Sequence, residues 1–153
     1  MKCIRLFLSV LTLTVISPSF ASAQSRKADD ILGKWLTDNN EAKVEIYKIG
    51  TTYFGKIVWL KETNDKETTK PKKDKHNPDS KLRERLIMGM NFVQGFKFDG
   101  EDEWEDGTVY DIKSGKTYSG TIGFDDNGKL KLRGYIGKSW MGLGKTTYWT
   151  RSN

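Results

Sequence analysis

Cysteine is all but absent from this chain: the single one, Cys3, lies among the first residues. The remainder can form no internal disulfide, and a thiolate metal site or a catalytic thiol is excluded there. Histidine is as scarce. One residue, His76, cannot build a typical zinc site, and nothing beside it marks the nucleophile of a hydrolase triad. Long apolar runs are missing too, with one exception, "LFLSVLTLTVI" from Leu6 to Ile16. That run is shorter than the ~20 residues needed to cross a bilayer. Lys2 and Arg5 precede it, Pro18 breaks it, and Ala21-Ser22-Ala23 follows. These are the three parts of a secretory signal peptide, residues 1–23. We therefore expect cleavage near Ala23-Gln24, a mature domain over residues 24–153 that is not transmembrane, and a periplasmic or secreted location. Cys3 would leave with the leader.

Charge of one sign is not strongly in excess. The chain has 26 basic and 20 acidic residues; without Lys2 and Arg5 these become 24 and 20, a net charge of +4. Outside the cytosol this argues against a nucleic-acid partner and leaves an anionic lipid or polysaccharide surface as the available one.

Aromatic residues (12%) and 15 glycines are well supplied, which suits strands joined by tight turns. "GKWLT" (33–37) opens the domain. "AKVEIYKI" (42–49) alternates apolar and charged residues. "TYFGKIVWL" (52–60) is apolar on both sides, so both faces are expected to be covered. Met88, Met90, Phe92, Phe96 and Phe98 fall on one face at period two, with Gln94 interrupting. Trp104–Tyr110, Tyr118–Phe124, Leu130–Arg133 and Lys145–Arg151 complete the series. Asp99-Gly100 and Asn127-Gly128 are hairpin signals, and Asp106-Gly107 suggests a bulge. The reading is an all-β fold of about eight antiparallel strands in up-and-down order, closed into a barrel that removes its own edges. A barrel of that size either fills with side chains or holds one small ligand. Gly33-x-Trp35 on the first strand and Arg151 on the last match a lipocalin-like (calycin) arrangement. There a guanidinium stacks on an indole, worth roughly 0.5–2 kcal/mol, and closes one end.

Several tempting motifs fail on inspection. Gly144-Lys145-Thr146 resembles the tail of a P-loop, but position 139 is serine and a strand follows where a helix is required. Asp125-Asp126-Asn127-Gly128 lacks the spacing of a calcium loop and is a hairpin turn. "EDEWED" (101–106) alternates faces along a strand, which fits edge protection. No metal and no cofactor is expected. The long connection from Lys61 to Leu86 is different. Its first half, Lys61–Lys75, is a Lys-rich arm. Its second half, "DKHNPDSKLRERLIMGM" (74–90), turns at Asn77-Pro78-Asp79 and suits one helical turn, Lys81–Arg85, capped by Asp79 or Ser80. Leu82 and Leu86 would then fold onto the barrel. Asp74, Asn77 and Asp79 can accept hydrogen bonds from turn amides or from Arg83 and Arg85, forming a conformational corner.

The ordered set Gly33-x-Trp35, Gly55-Lys56-Ile57, "DKHNPDSKLRERLIMGM", "WEDGTVYDIKSGKTYSG" (104–120), "LKLRGYIG" (130–137) and Tyr148-Trp149-Thr150-Arg151 resembles a family of exported bacterial proteins, domain of unknown function 2147. His76 stands where that pattern has a second asparagine, and Leu86 where a proline is frequent. The resemblance implies a small exported β-barrel and no particular activity.

Two readings of function follow, with enzymatic chemistry weakly supported. In the first, the protein is a non-catalytic binding module. A small amphipathic or anionic ligand would be lined by Met88, Met90, Phe92, Phe96 and Phe98, with Arg85 or Arg133 pairing an anionic head. In the second, the barrel is solid and the Lys-rich arm docks on an anionic envelope surface. A third would make the Asp74/Asn77/Asp79/Arg83/Arg85 corner an active site. Ligand identity and oligomeric state are left open.

Overall fold

The structure, a computed structural model, describes residues 26–137 and 143–153; the expected leader lies outside these residues. Eight strands run antiparallel in chain order and close on themselves. They are β1 (Gly33–Leu36), β2 (Ala42–Ile49), β3 (Thr52–Leu60), β4 (Asn91–Phe98), β5 (Trp104–Asp111), β6 (Lys116–Phe124), β7 (Leu130–Tyr135) and β8 (Gly144–Ser152). The last strand returns to the first through the pairs Lys34–Ser152, Trp35–Arg151 and Leu36–Thr150. Closure leaves no long edge exposed. Where the pattern alternates the structure follows it: Val44 and Ile46 are buried on β2. Gly100 and Gly128 take φ of 97° and 75° at the hairpins between β4 and β5 and between β6 and β7, the left-handed backbone that such turns require.

Two expectations need correction here. β4 does not keep period two. Against β3 it pairs Lys97 with Thr52, Phe96 with Tyr53, Val93 with Gly55 and Asn91 with Lys56, so the register shifts twice. Each extra residue on β4 resets which side faces in. Val93 and Phe96 are both fully buried, and Gln94 turns outward beside Gly95, whose φ is 79°. β3 is not covered on both faces. Tyr53, Gly55 and Ile57 are buried, whereas Trp59 is exposed and Phe54 gains only a stack on Tyr47.

One end of the barrel is packed solid. Trp104 lies at its centre, in ring contact with Tyr53, Phe98 and Phe124. Phe96 reaches into the same layer because Gly107 and Gly120 leave room. A Cβ on Gly107 would stand 2.2 Å from the Phe96 ring, and one on Gly120 would stand 2.8 Å from it. The residues before β1 form the plug. The indoles of Trp35 and Trp104 donate to the carbonyls of Ile31 (2.8 Å) and Ala28 (3.0 Å). Tyr53 and Lys48 both donate to Asp29, at 2.7 and 2.8 Å, and these bonds hold its carboxyl below the usual carboxylate range. Arg151 sits 4.2 Å above the Trp35 ring and donates to the carbonyls of Leu32 and Asp30. Arg151→Ala is therefore expected to cost about 1–2 kcal/mol, since a stacked cation and two charge-assisted bonds go together. A urea titration at constant m-value reads this out; an unchanged midpoint would show the plug to be indifferent to the arginine.

Candidate ligand-binding site

The opposite end is hollow. A cavity of about 970 Å³ opens between the β1–β2, β3–β4, β5–β6 and β7–β8 connections. That is within the range of small-molecule sites, roughly 300–1,000 Å³. Its inner wall is apolar, built from Val44, Ile57, Phe92, Val109, Leu132 and Trp149, with Tyr118 adding a phenol. Each belongs to a different strand from β2 to β8 and faces inward. The barrel is thus packed at one end and opens into a cavity at the other, whose deepest lining residues, Val44, Ile57, Leu132 and Trp149, are themselves buried.

The mouth is polar. Lys61, Lys72, Lys73, Lys75, Lys113 and Lys145 line it together with His76, and so do Asp38, Glu41, Glu62, Asp65 and Asp111. The acids are largely engaged. Asp65 pairs with Lys75 at 2.9 Å and accepts the backbone N–H groups of Glu67 and Thr68; its carboxyl is pulled down to about 2, chiefly by the Lys75 bond. Glu62 pairs with Lys66, Glu41 lies near Lys113, and Lys73 pairs with Glu84 behind the rim. The ammonium groups of Lys61, Lys72 and Lys145 have no such partner among the described residues.

The wall formed by the β3–β4 connection is held by a buried carboxylate. Asp74 is completely inaccessible to solvent. Tyr110 of β5 donates to one of its oxygens at 2.7 Å. Asn77 and Arg85 donate to the other at 2.8 and 2.6 Å, and Arg85 also faces the Tyr110 ring. Burial alone would raise the Asp74 pKa, but the bonds from Tyr110, Asn77 and Arg85 outweigh it and hold the carboxyl below its ordinary value. Burial, then the bond to Asp74, pushes the Tyr110 phenol up to about 12. The Asn77 amide oxygen accepts the Asp79 N–H, and Arg83 Nε donates to the Asn77 carbonyl. Pro78 lies between these two anchored residues. Asp79 caps a 3-10 turn, Ser80–Leu82, by accepting from the Lys81 N–H. This turn is shorter than the expected Lys81–Arg85 helical turn. Leu82 and Leu86 do not fold onto the barrel: both are exposed, because the short turn leaves their side of the chain facing solvent. The backbone at His76 is pinned from the far side, where its carbonyl would lie 2.0 Å from a Cβ on Gly115. The carboxylates of Asp74 and Asp79 and the guanidinium of Arg83 are thus bonded within the corner itself, and Arg85 gives one nitrogen to Asp74 while part of its side chain lines an outer groove. No group of acids and histidine suited to a metal ion occurs among the described residues.

Of the residues expected to line a ligand, Phe92 does so and contacts the Trp149 ring. Phe96 and Phe98 belong to the packed end. Met90 is buried outside the cavity, and Met88 is exposed beside it on an outer groove with Arg85. Arg133 alternates with the lining residue Leu132 on β7 and is not part of the cavity wall. The register shifts of β4 account for the first group, and the ion pair with Asp74 accounts for Arg85. Missed from the sequence were Trp149, Leu132 and Tyr118, although strand parity carried a signal for them: Lys145, Thr147 and Trp149 alternate inward along β8.

Comparison with known proteins agrees with this geometry. Protein HP1028 from Helicobacter pylori, whose solved structure is described as belonging to the lipocalin family, superposes with a TM-score of 0.65 at 27% sequence identity. The match covers 80% of this chain and 82% of that one. No curated protein matches the chain. The family model described as "Uncharacterized protein conserved in bacteria (DUF2147)" matches residues 33–151, from the first strand to Arg151. With a closed eight-stranded barrel, a lipocalin-like neighbour and that match, the chain belongs to the DUF2147 family, as a lipocalin-like member.

Proposed function

We propose that this protein is an exported, non-catalytic carrier of a small amphipathic anion. The apolar part of the ligand lies between Phe92, Leu132 and Trp149, and its head lies at the lysine-lined mouth. One observation carries the reading: the cavity has an apolar wall and, at its opening, three ammonium groups without a partner among the described residues. Such a site stabilises an acyl or aromatic tail by burial, about 25 cal/mol per Å² of apolar surface. It attracts a carboxylate or phosphate head without having to break existing ion pairs. The likeness to a protein placed among the lipocalins supports a small-ligand role. Export is the reading of residues 1–23.

Trp149 supplies a reporter. Titration with a bromine-labelled fatty acid is expected to quench its emission saturably, and Trp149→Phe to remove most of that quenching while leaving binding measurable by calorimetry. A Leu132→Trp variant, which fills the cavity, should weaken binding by about tenfold or more. If fatty acids and lyso-lipids neither quench Trp149 nor raise the melting temperature, the carrier reading fails.

A further inference from the structure

Ile136, just after β7, and Leu143, just before β8, present aliphatic side chains to water beside the cavity mouth. Ile136 is 63% exposed and Leu143 64%. Both line the opening, and the Ile136 N–H donates to the Leu143 carbonyl at 3.1 Å. The two residues are therefore held side by side across the ends of β7 and β8. They are the two most exposed large apolar residues in the described part of the chain; the next, Ile49, ends β2 at the packed end. An isolated exposed isoleucine needs no explanation. Two together at the rim of a hydrophobic cavity, with Lys61, Lys72 and Lys145 on the same rim, form a more specific arrangement.

We propose that this rim is a docking surface for an anionic lipid bilayer, with Ile136 and Leu143 entering the headgroup boundary and the three lysines meeting lipid phosphates. The chemistry selects that partner. The rim's acids are held by lysines or by turn donors. This leaves an apolar pair with three lysines, unpaired among the described residues, on long flexible stems. That is the pattern of interfacial membrane binding, in which buried aliphatic area and attraction to anionic lipid add together. A soluble anionic polymer would use the lysines but has no place for the aliphatic pair. The Lys-rich arm as a whole is not the contact, because Lys66, Lys73 and Lys75 are already paired with Glu62, Glu84 and Asp65. Docking in this orientation turns the cavity opening toward the bilayer. The inference does not depend on the carrier reading: a rim can bind lipid whether or not the cavity takes a ligand.

The test is flotation of the full mature chain with vesicles of phosphatidylcholine alone and of phosphatidylcholine with one third phosphatidylglycerol. Binding to the anionic vesicles is expected, with little to the neutral ones, and it should weaken as salt rises. Two variant sets separate the contributions. Ile136→Ser/Leu143→Ser and, separately, Lys61→Gln/Lys72→Gln/Lys145→Gln should each lower vesicle binding about tenfold or more. Circular dichroism melting serves as the check that both remain folded. Heparin is the polymer control: binding to it as strong as to the vesicles, and unaffected by the serine pair, would overturn the proposal. So would equal binding to neutral and anionic vesicles, or vesicle binding that neither variant set reduces. Fatty-acid titration of the serine pair without vesicles distinguishes the two ideas, since a failed carrier reading removes that signal and leaves flotation untouched.

Discussion

Asp74→Ala is expected to destabilise the barrel by about 3 kcal/mol, a fall in melting temperature of roughly 10 °C. The carboxylate is inaccessible to solvent and accepts from Tyr110, Asn77 and Arg85 at once. Removing it leaves a phenol and an amide without acceptors and strips a guanidinium of its counter-charge. Arg85 is 37% exposed, so water recovers part of its charge, which keeps the cost at the lower end for a broken buried pair. Asp74→Asn should cost nearly as much, because its NH₂ would oppose the donors of Asn77 and Arg85. A second readout separates the corner from global stability. The connection it secures is rich in lysine, so trypsin should cut between residues 61 and 75 faster in the variant under conditions where the barrel is still folded. Equal cleavage in both proteins would show that the corner does not hold the mouth.

The pH dependence follows from the same bonds. The Asp74 carboxyl is held below its ordinary value of 3.8 in the folded protein. A depressed carboxylate contributes its stability above the unfolded value and loses it as pH falls through the folded one. The wild-type protein should therefore lose stability below about pH 4, and Asp74→Asn should have a flatter profile there. Parallel profiles would assign the acid sensitivity to other groups.

Trp104→Ala is the second large effect, about 3–5 kcal/mol. The ring is fully buried against Tyr53, Phe98 and Phe124, and its indole N–H anchors the plug through the Ala28 carbonyl. Trp104→Phe keeps most of the apolar contact and loses the hydrogen bond, so its cost should be less than half of that. Denaturant unfolding of both variants measures the difference. A phenylalanine variant as unstable as the alanine one would place the weight on the plug bond and not on the aromatic cluster.

Much of the fold could be read along the chain because strand geometry is local. Alternation at period two, glycine at hairpins and aspartate beside them gave eight strands, all within a residue or two of their observed ends but the fourth, whose stripe began at Met88 while β4 begins at Asn91. The candidate site was much less legible. The stripe from Met88 to Phe98 resembled a ligand wall, yet only Phe92 lines the cavity, because β4 gains two residues against β3. A bulge is decided by the partner strand, and one sequence does not display its partner. The corner was legible as a group of residues that could bond one another. That Tyr110 supplies the third bond to Asp74 was not, since the two are 36 residues apart.

What the sequence determined by itself was the alternation of short aromatic strands and tight turns, and with it a barrel whose first and last strands meet at Trp35 and Arg151. Only the tertiary structure decided that half of this barrel is filled and half is hollow. Filling depends on the side chains that several strands deliver to the same level. Phe96 and Trp104 crowd the level where Gly107 and Gly120 make space, whereas Phe92, Leu132 and Trp149 nearer the mouth line the cavity. That sum is taken across the barrel, between residues far apart in the chain, where local periodicity carries no information.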